Sequence, residues 1–323
     1  MITTTLAILA SLAIQTTPGQ DLNIQQKLDA ARHTYTAPKV QLMTAEKAQA
    51  LSIDLTEQSG GRLEVTPSVD SATDILFRGE TDRSAMLHVD KNTGGFVFSR
   101  GFDGMRDDNG TPGLPAKNTS VQVAVNLLND LGLMPAGFGQ SVVVEHVGGV
   151  NMGVHNEDGT TEDFEKLRTV RFARVQDGLK VEGRGSRLVV NLAEQGRLFG
   201  LVHRWQPFQG RALTAAEKLT VDEVREQAAR QIRIASGDAK QATLESIELV
   251  LFDDGQGNME PALHIVTQMT YASKEIDVTG AEIDRDVTNP FDFFIPVLRD
   301  SKANFPHTKD LAQRKVAQPM MDR

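Results

Sequence analysis

This sequence predicts an α+β fold, with helices packed on curled antiparallel sheets, and three observations carry that prediction. Stretches of helical period are each followed by short strands of β-branched alternation. The strands are joined by turns rich in Gly, Asn and Asp rather than by crossover helices, so neighbouring strands are expected to run antiparallel. The helix-then-strands pattern spans residues 44–100, 119–205 and 220–298, with no fixed period. Helices segregated onto one face of antiparallel sheets define the class.

Taken in order, residues 6–14 are an isolated apolar run, far shorter than the roughly 20 residues that cross a bilayer. The run has the length of a signal-peptide core, with Ser11 and Ala13 as a small-x-small pair. Residues 1–5 carry no Lys or Arg, which departs from that pattern. Export is expected, with the mature chain beginning between Ile14 and Asp21; a buried first strand or short helix is the alternative. Residues 21–32 have weak helical spacing at Leu22, Leu28 and Ala31. Residues 44–55 are a better helix, with Thr44 as cap and Ala45, Ala48, Leu51 and Leu55 on one face before the Gly60-Gly61 stop. Strands are predicted over 62–69 and 75–77, then a hairpin whose arms 86–89 and 96–99 flank the turn 90–95. Residues 102–117 read as a loop.

A helix is predicted over 119–131, with Val121, Val125, Leu128 and Leu131 in register and Gly132 as its stop. Strands follow at 141–147, 167–174, 186–192 and 198–205. The strongest helix is 220–235, where Val221, Val224, Ala228, Gln231 and Ile232 share a stripe. Strands resume at 244–252, 262–271, 275–283 and 291–297, the first two joined by the turn 253–258. The stretch after Leu298 is polar and expected to fray. The organisation expected is an N-terminal segment 1–20, α+β units over 21–117, 118–210 and 211–300, and a tail 301–323.

Residues 169–200 read TVRFARVQDGLKVEGRGSRLVVNLAEQGRLFG. A strand leads into Asp177-Gly178-Leu179-Lys180-Val181-Glu182-Gly183, then the strand Leu188-Val189-Val190-Asn191-Leu192, then a turn at Gln195-Gly196-Arg197. This resembles the FTP and PepSY modules found in the propeptides of thermolysin-like metalloproteases. The helix in 214–235 and the strands in 249–266, with Asp253-Asp254-Gly255 and Pro261-Ala262, are similar to a PepSY unit following an FTP unit. The resemblance implies repeated cystatin-like units, each a curled antiparallel sheet on a helix, and inhibitory, chaperone-like or regulatory roles. In those precursors a peptidase domain follows, whereas here only a short polar stretch follows Leu298. The resemblance is therefore to a free-standing relative.

The residues themselves bound the chemistry. The chain has 323 residues, a formal charge of −9 and no cysteine. A general basic footprint for nucleic acid is lacking, and so are disulfides, thiolate metal sites and a cysteine nucleophile. The seven histidines, His33, His88, His146, His155, His203, His264 and His307, include no H-E-x-x-H pair. No G-x-S-x-G elbow, phosphate-binding glycine loop or dinucleotide fingerprint is present. Asp103, Asp107, Asp108 and Asn109 lack the spacing of a calcium loop. The acidic runs 156–159 and 253–255 read as hairpin turns. Asn118-Thr119-Ser120 matches a glycosylation sequon but coincides with the start of the predicted helix, where it reads as a cap.

No catalytic, cofactor-binding or metal-binding residue is singled out. Phe291, Phe293 and Phe294 form a dense aromatic patch, read as a core strand with a partner-facing surface as the alternative. Alternation places Phe291, Phe293 and Ile295 on one face and Phe294 on the other. The expected function is an exported, non-catalytic binding or regulatory protein whose partner is another protein, with no cofactor, nucleic acid or membrane span. A secreted hydrolase with a dispersed site is one alternative. A structural surface component whose edge strands pair with neighbours is another.

Overall fold

The structure is a computed structural model that describes residues 13–16, 23–39, 41–101, 110–155, 158–276 and 282–305. The first elements are β1 (Ala13–Thr16), α1 (Ile24–Ala30), β2 (His33–Thr36), α2 (Ala45–Ser59), β3 (Val69–Asp70), β4 (Asp74–Arg78), β5 (Met86–Asp90) and β6 (Phe96–Ser99). Next come α3 (Lys117–Asp130), β7 (Val142–His155), β8 (Thr161–Gln176), β9 (Leu179–Gly183), β10 (Arg187–Leu192), β11 (Leu198–Arg204) and β12 (Gln209–Ala212). The last are α4 (Val221–Ser236), β13 (Gln241–Asp253), β14 (Asn258–Ile276) and β15 (Glu282–Pro296). The fold is α+β: four helices among the described residues, with mostly antiparallel sheet.

The chain divides into two compact units. The larger comprises Thr36–Gln209 with Gly255–Gly257. Its strands run in the order β3-β4-β5-β6-β11-β10-β8, with β7 and β9 also paired to β8, all antiparallel. One sheet face carries Phe77, Leu87, Phe98, Phe172, Leu188 and Leu201, which pack with Leu51 and Leu55 of α2 and Leu127 and Leu128 of α3. Burial of each such side chain contributes about 1.5–3 kcal/mol. Thr44 caps α2 by accepting the Lys47 N–H at 3.3 Å, and Gly60, at φ 68, ends it in the left-handed region.

The smaller unit comprises Met1–Tyr35, Gly210–Asp254 and Asn258–Arg323. Its strands follow the order β12-β2-β14-β13, with β15 also on β14 and β1 on β13. The β1–β13 pair is parallel; β13–β14 and β14–β15 are antiparallel. Helix α4 opens on a reciprocal capping box, with Thr220 Oγ1 accepting the Glu223 N–H and the Glu223 carboxylate accepting the Thr220 N–H. Val224 and Ile232 of α4 are buried with Leu28 of α1 against Leu263, Ile265, Phe293 and Ile295. Val221 and Ala228 pack beside them, partly buried. The stripe read from the sequence is thus the packing face of the helix.

Several expectations need correction. The predicted strand 62–69 is reduced to a bridge between Leu63 and Gly79 and the two-residue β3, because Pro67 has no N–H to give to a ladder. The sequon residues do not cap α3. Ala116 does, with no side-chain bond, while the Thr119 and Ser120 hydroxyls donate to the Ala116 and Lys117 carbonyls. The glycines at 148–149, just past the predicted strand 141–147, lie inside β7 opposite Thr169 and Arg168. Of the predicted strand 275–283, residues 275–276 end β14 and 282–283 open β15, which runs on through most of the predicted strand 291–297; residues 277–281 lie outside the described residues. Residues 299–305 do not fray: Phe305 is buried, and Glu260 accepts the Ser301 hydroxyl at 2.6 Å and the Lys302 N–H at 3.0 Å. The apolar run 6–12, Leu22, the acidic loop 103–109 and the tail from 306 lie outside the described residues.

Candidate functional site

The aromatic patch at the end of β15 is divided between two faces, as alternation requires. Phe293 and Ile295 are fully buried in the core under α4, and Phe291 packs half-buried beside them. Phe294 is on the opposite face, half-exposed. Its ring stacks on His264, directly across the β14–β15 ladder, with centroids 4.6 Å apart. It also meets Phe252 at 4.8 Å, and Phe252 stacks on Phe305 at 4.4 Å. Of the three phenylalanines singled out, Phe293 belongs wholly to the core, and Phe294 stacks on a polar neighbour, His264. The His264 Nε2 lies 3.2 Å from Asp292 Oδ2.

The other histidines are dispersed. His88 Nε2 lies 2.9 Å from Asp74 Oδ1, and Asp74 also takes the Thr73 hydroxyl at 2.6 Å. Those hydrogen bonds, Thr73 first, hold the Asp74 carboxyl below its ordinary range. His203 sits inside the larger unit, stacked on Phe96 and 3.1 Å from the Leu133 carbonyl oxygen. Burial pushes its imidazole below the ordinary value. His155 Nδ1 is 2.9 Å from the Thr161 hydroxyl. Among the described residues no three of His, Asp or Glu gather to hold a metal ion. The carboxylates of the 253–258 turn serve structure: Asp254 accepts the Asn258 N–H at 3.0 Å and the Asn304 N–H at 3.3 Å.

The feature that sequence reasoning missed is a pair of long β-ribbons, one in each unit. In the larger unit β7 and β8 stay paired from Val142↔Arg174 out to His155↔Thr161. Register puts Met152 opposite Phe164 and Val154 opposite Glu162 on one face of the outer half, with Gly153↔Asp163 and His155↔Thr161 on the other. Met152, Val154 and Phe164 are half-exposed, and Val150 beside them is 50% exposed. Among the described residues, beyond a bridge from Phe138 to Val142 at its start, β7 pairs with β8 alone, so its other edge is open there. Bulges fall between Val144 and His146 and between Val150 and Asn151. The signal was present as alternation in Val150, Met152 and Val154, but Gly148, Gly149 and Gly153 masked it.

In the smaller unit β14 and β15 pair out to Ile276↔Glu282. Its outer half is charged, with Lys274 2.7 Å from Glu282 and Lys240 2.7 Å from Asp286. The two ribbons therefore differ in surface: one has an apolar stripe and the other a set of exposed ion pairs. No helix among the described residues is long and apolar enough to cross a membrane.

No family model matches the chain, and no curated protein matches it. Among solved structures, it is similar to an uncharacterized protein from Eubacterium rectale at 10% sequence identity and a TM-score of 0.45. That match covers 84% of this chain and 85% of the other.

Proposed function

We propose that this chain is an exported, non-catalytic binding protein that takes an extended segment of another protein along the open edge of β7. The observation that carries the reading is the β7–β8 ribbon: an edge that no other described strand pairs with, beside an apolar stripe of Val150, Met152, Val154 and Phe164. An open strand edge gives main-chain hydrogen bonds to an added strand, and a side-chain stripe gives selectivity. A two-stranded ribbon exposed on both faces is marginal alone, so a third strand stabilises it. Export rests on the apolar run 6–14. The finer fold reading, FTP- and PepSY-like cystatin units, is supported by α4 lying capped on the antiparallel β13–β14–β15 sheet. Peptidase inhibition or chaperone-like holding is the matching class of role.

The test places a photo-crosslinking residue at Val150 and, separately, at exposed Arg230 of α4, and recovers the full chain from its native secretome. The reading expects one adduct from position 150 and none from 230, lost when Met152→Asp and Phe164→Asp are combined in a chain that melts like the parent. Equal adducts from both positions, or an adduct indifferent to the double substitution, would refute it. Sequencing of the recovered N-terminus tests export separately; an intact Met1 would count against it.

A further inference from the structure

The face of the larger unit's sheet that points away from α2 and α3 carries a concentration of arginine in an acidic chain. Arg187 of β10 stands directly opposite Arg204 of β11. Two residues along β10, Val189 is flanked by Arg171 of β8 and Val202 of β11. Alternation puts Leu188, Val190 and Phe172 in the core, so these arginines share the opposite face. The loop between β9 and β10 adds Arg184, whose carbonyl accepts from Arg204 Nη1 at 3.4 Å. The neighbouring carboxylates are engaged elsewhere. Glu145 bridges Arg171 at 2.6 Å and Lys180 at 2.8 Å, and Glu182 meets Lys180 at 3.1 Å. Among the described residues Arg184, Arg187 and Arg204 have no acidic partner within ion-pair distance, and all three are exposed.

Like charges directly opposite across strands destabilise a sheet. Partial desolvation, then the proximity of Arg171 and Arg204, holds the Arg187 guanidinium below its ordinary value. Such a cluster has a use if an anion sits in it. Guanidinium groups present planar forks that match the oxygens of phosphate, and several forks suit a tetrahedral dianion better than one carboxylate. We propose that Arg184, Arg187 and Arg204 form a receptor for a phosphate-type dianion, free or carried as a lipid headgroup. The site is independent of the open β7 edge.

The full chain is titrated with inorganic phosphate, and with acetate at matched ionic strength, while following melting temperature and the fluorescence of its single tryptophan, Trp205, next to Arg204. Phosphate should raise the melting temperature saturably and acetate should not. Arg187→Gln and Arg204→Gln should each weaken the response about tenfold or more, whereas Arg230→Gln should not. Without phosphate, Arg187→Gln should melt at or above the parent, because the Arg187–Arg204 repulsion is relieved; that readout separates loss of binding from loss of fold. Co-sedimentation with phosphatidylcholine vesicles, with and without phosphatidic acid, distinguishes the sources. Arginine-dependent saturation by phosphate supports a free ligand, and arginine-dependent binding to phosphatidic acid vesicles alone supports a headgroup. No response to either, or a response unchanged in Arg187→Gln, overturns the proposal.

Discussion

Arg100 and Glu194 form a two-pronged ion pair in the larger unit, with Arg100 Nη2 donating to Glu194 Oε2 at 2.6 Å and Nη1 donating to Oε1. The pair joins the end of β6 to the turn between β10 and β11. Arg100 also lies over the Phe199 ring, 5.3 Å from its centroid, and donates to the Ser59 carbonyl at the end of α2. One guanidinium thus ties three pieces of the unit together, and the fork geometry makes it stronger than a surface pair.

Glu194→Ala should cost about 1.5–3 kcal/mol in urea unfolding, because it leaves a largely covered guanidinium without its carboxylate. The Arg100 hydrogen bonds, ahead of any other cause, hold the Glu194 carboxyl below its ordinary value. A lowered folded pKa means stability present above the ordinary carboxylate range and lost as pH falls through the folded value. Glu194→Gln should therefore flatten the fall in stability on acidification. An unchanged acid profile would show that the pair does not couple to folding.

Val224→Asp should be far more damaging. Val224 is fully buried on α4 beside Leu263, Ile265 and Phe293. A carboxylate there has no partner and loses its hydration, at a cost of at least about 3 kcal/mol. Exposed Arg230→Ala on the same helix should stay within about 0.5 kcal/mol. Circular dichroism during chemical unfolding reads both; parent-like melting of Val224→Asp would mean that α4 does not rest on the sheet.

The parts of this fold that were legible are those whose signals are local. Thr220, Glu223 and the Val221–Val224–Ala228–Ile232 stripe specify α4 within one window, and the turn 253–258 specifies the β13–β14 hairpin. What was not legible depends on distant pairing. Strands β2 and β12 have four residues each and pair with one another across the sequence. The reach of β7 was hidden because Gly148 and Gly149 suit a loop as well as a strand that must pass close to its neighbour. A Cβ on Gly149 would lie 2.6 Å from the Leu167 oxygen. The aromatic patch was visible as composition, but the Phe294–His264 stack follows from register alone. Likewise Arg171, Arg187 and Arg204 are ordinary strand residues until three strands bring them together.

Acid should loosen the smaller unit at two identified carboxylates. Glu217 and Glu223 are each lowered from the ordinary 4.5 to about 2, chiefly by hydrogen bonds from Arg211 and Arg299 respectively, then by those from Thr214 and Thr220. Each binds its proton more weakly folded than unfolded, so each favours the fold above pH 4.5 and loses that contribution as pH falls toward 2. Carboxyl titration by NMR should place both at about 2, well below the ordinary 4.5. Thr220→Ala should raise the Glu223 value and leave Glu217 unmoved; a parallel shift of both would contradict the separate caps.

Gly178→Ala isolates backbone strain from packing. Asp177 has φ 52 and Gly178 φ 76, two successive left-handed residues that make the tight turn between β8 and β9. A Cβ on Gly178 would meet nothing within 4 Å, so its cost is torsional alone. About 1 kcal/mol is expected from denaturant unfolding. Asn at the same position should recover part of that, since its short polar side chain tolerates the left-handed region. Gly149→Ala should be worse despite an ordinary φ, because its methyl group would press on the Leu167 carbonyl and push β7 from β8. If Gly178→Ala matched the parent, or Asn did no better than Ala, the left-handed turn would not be what holds β9 to β8.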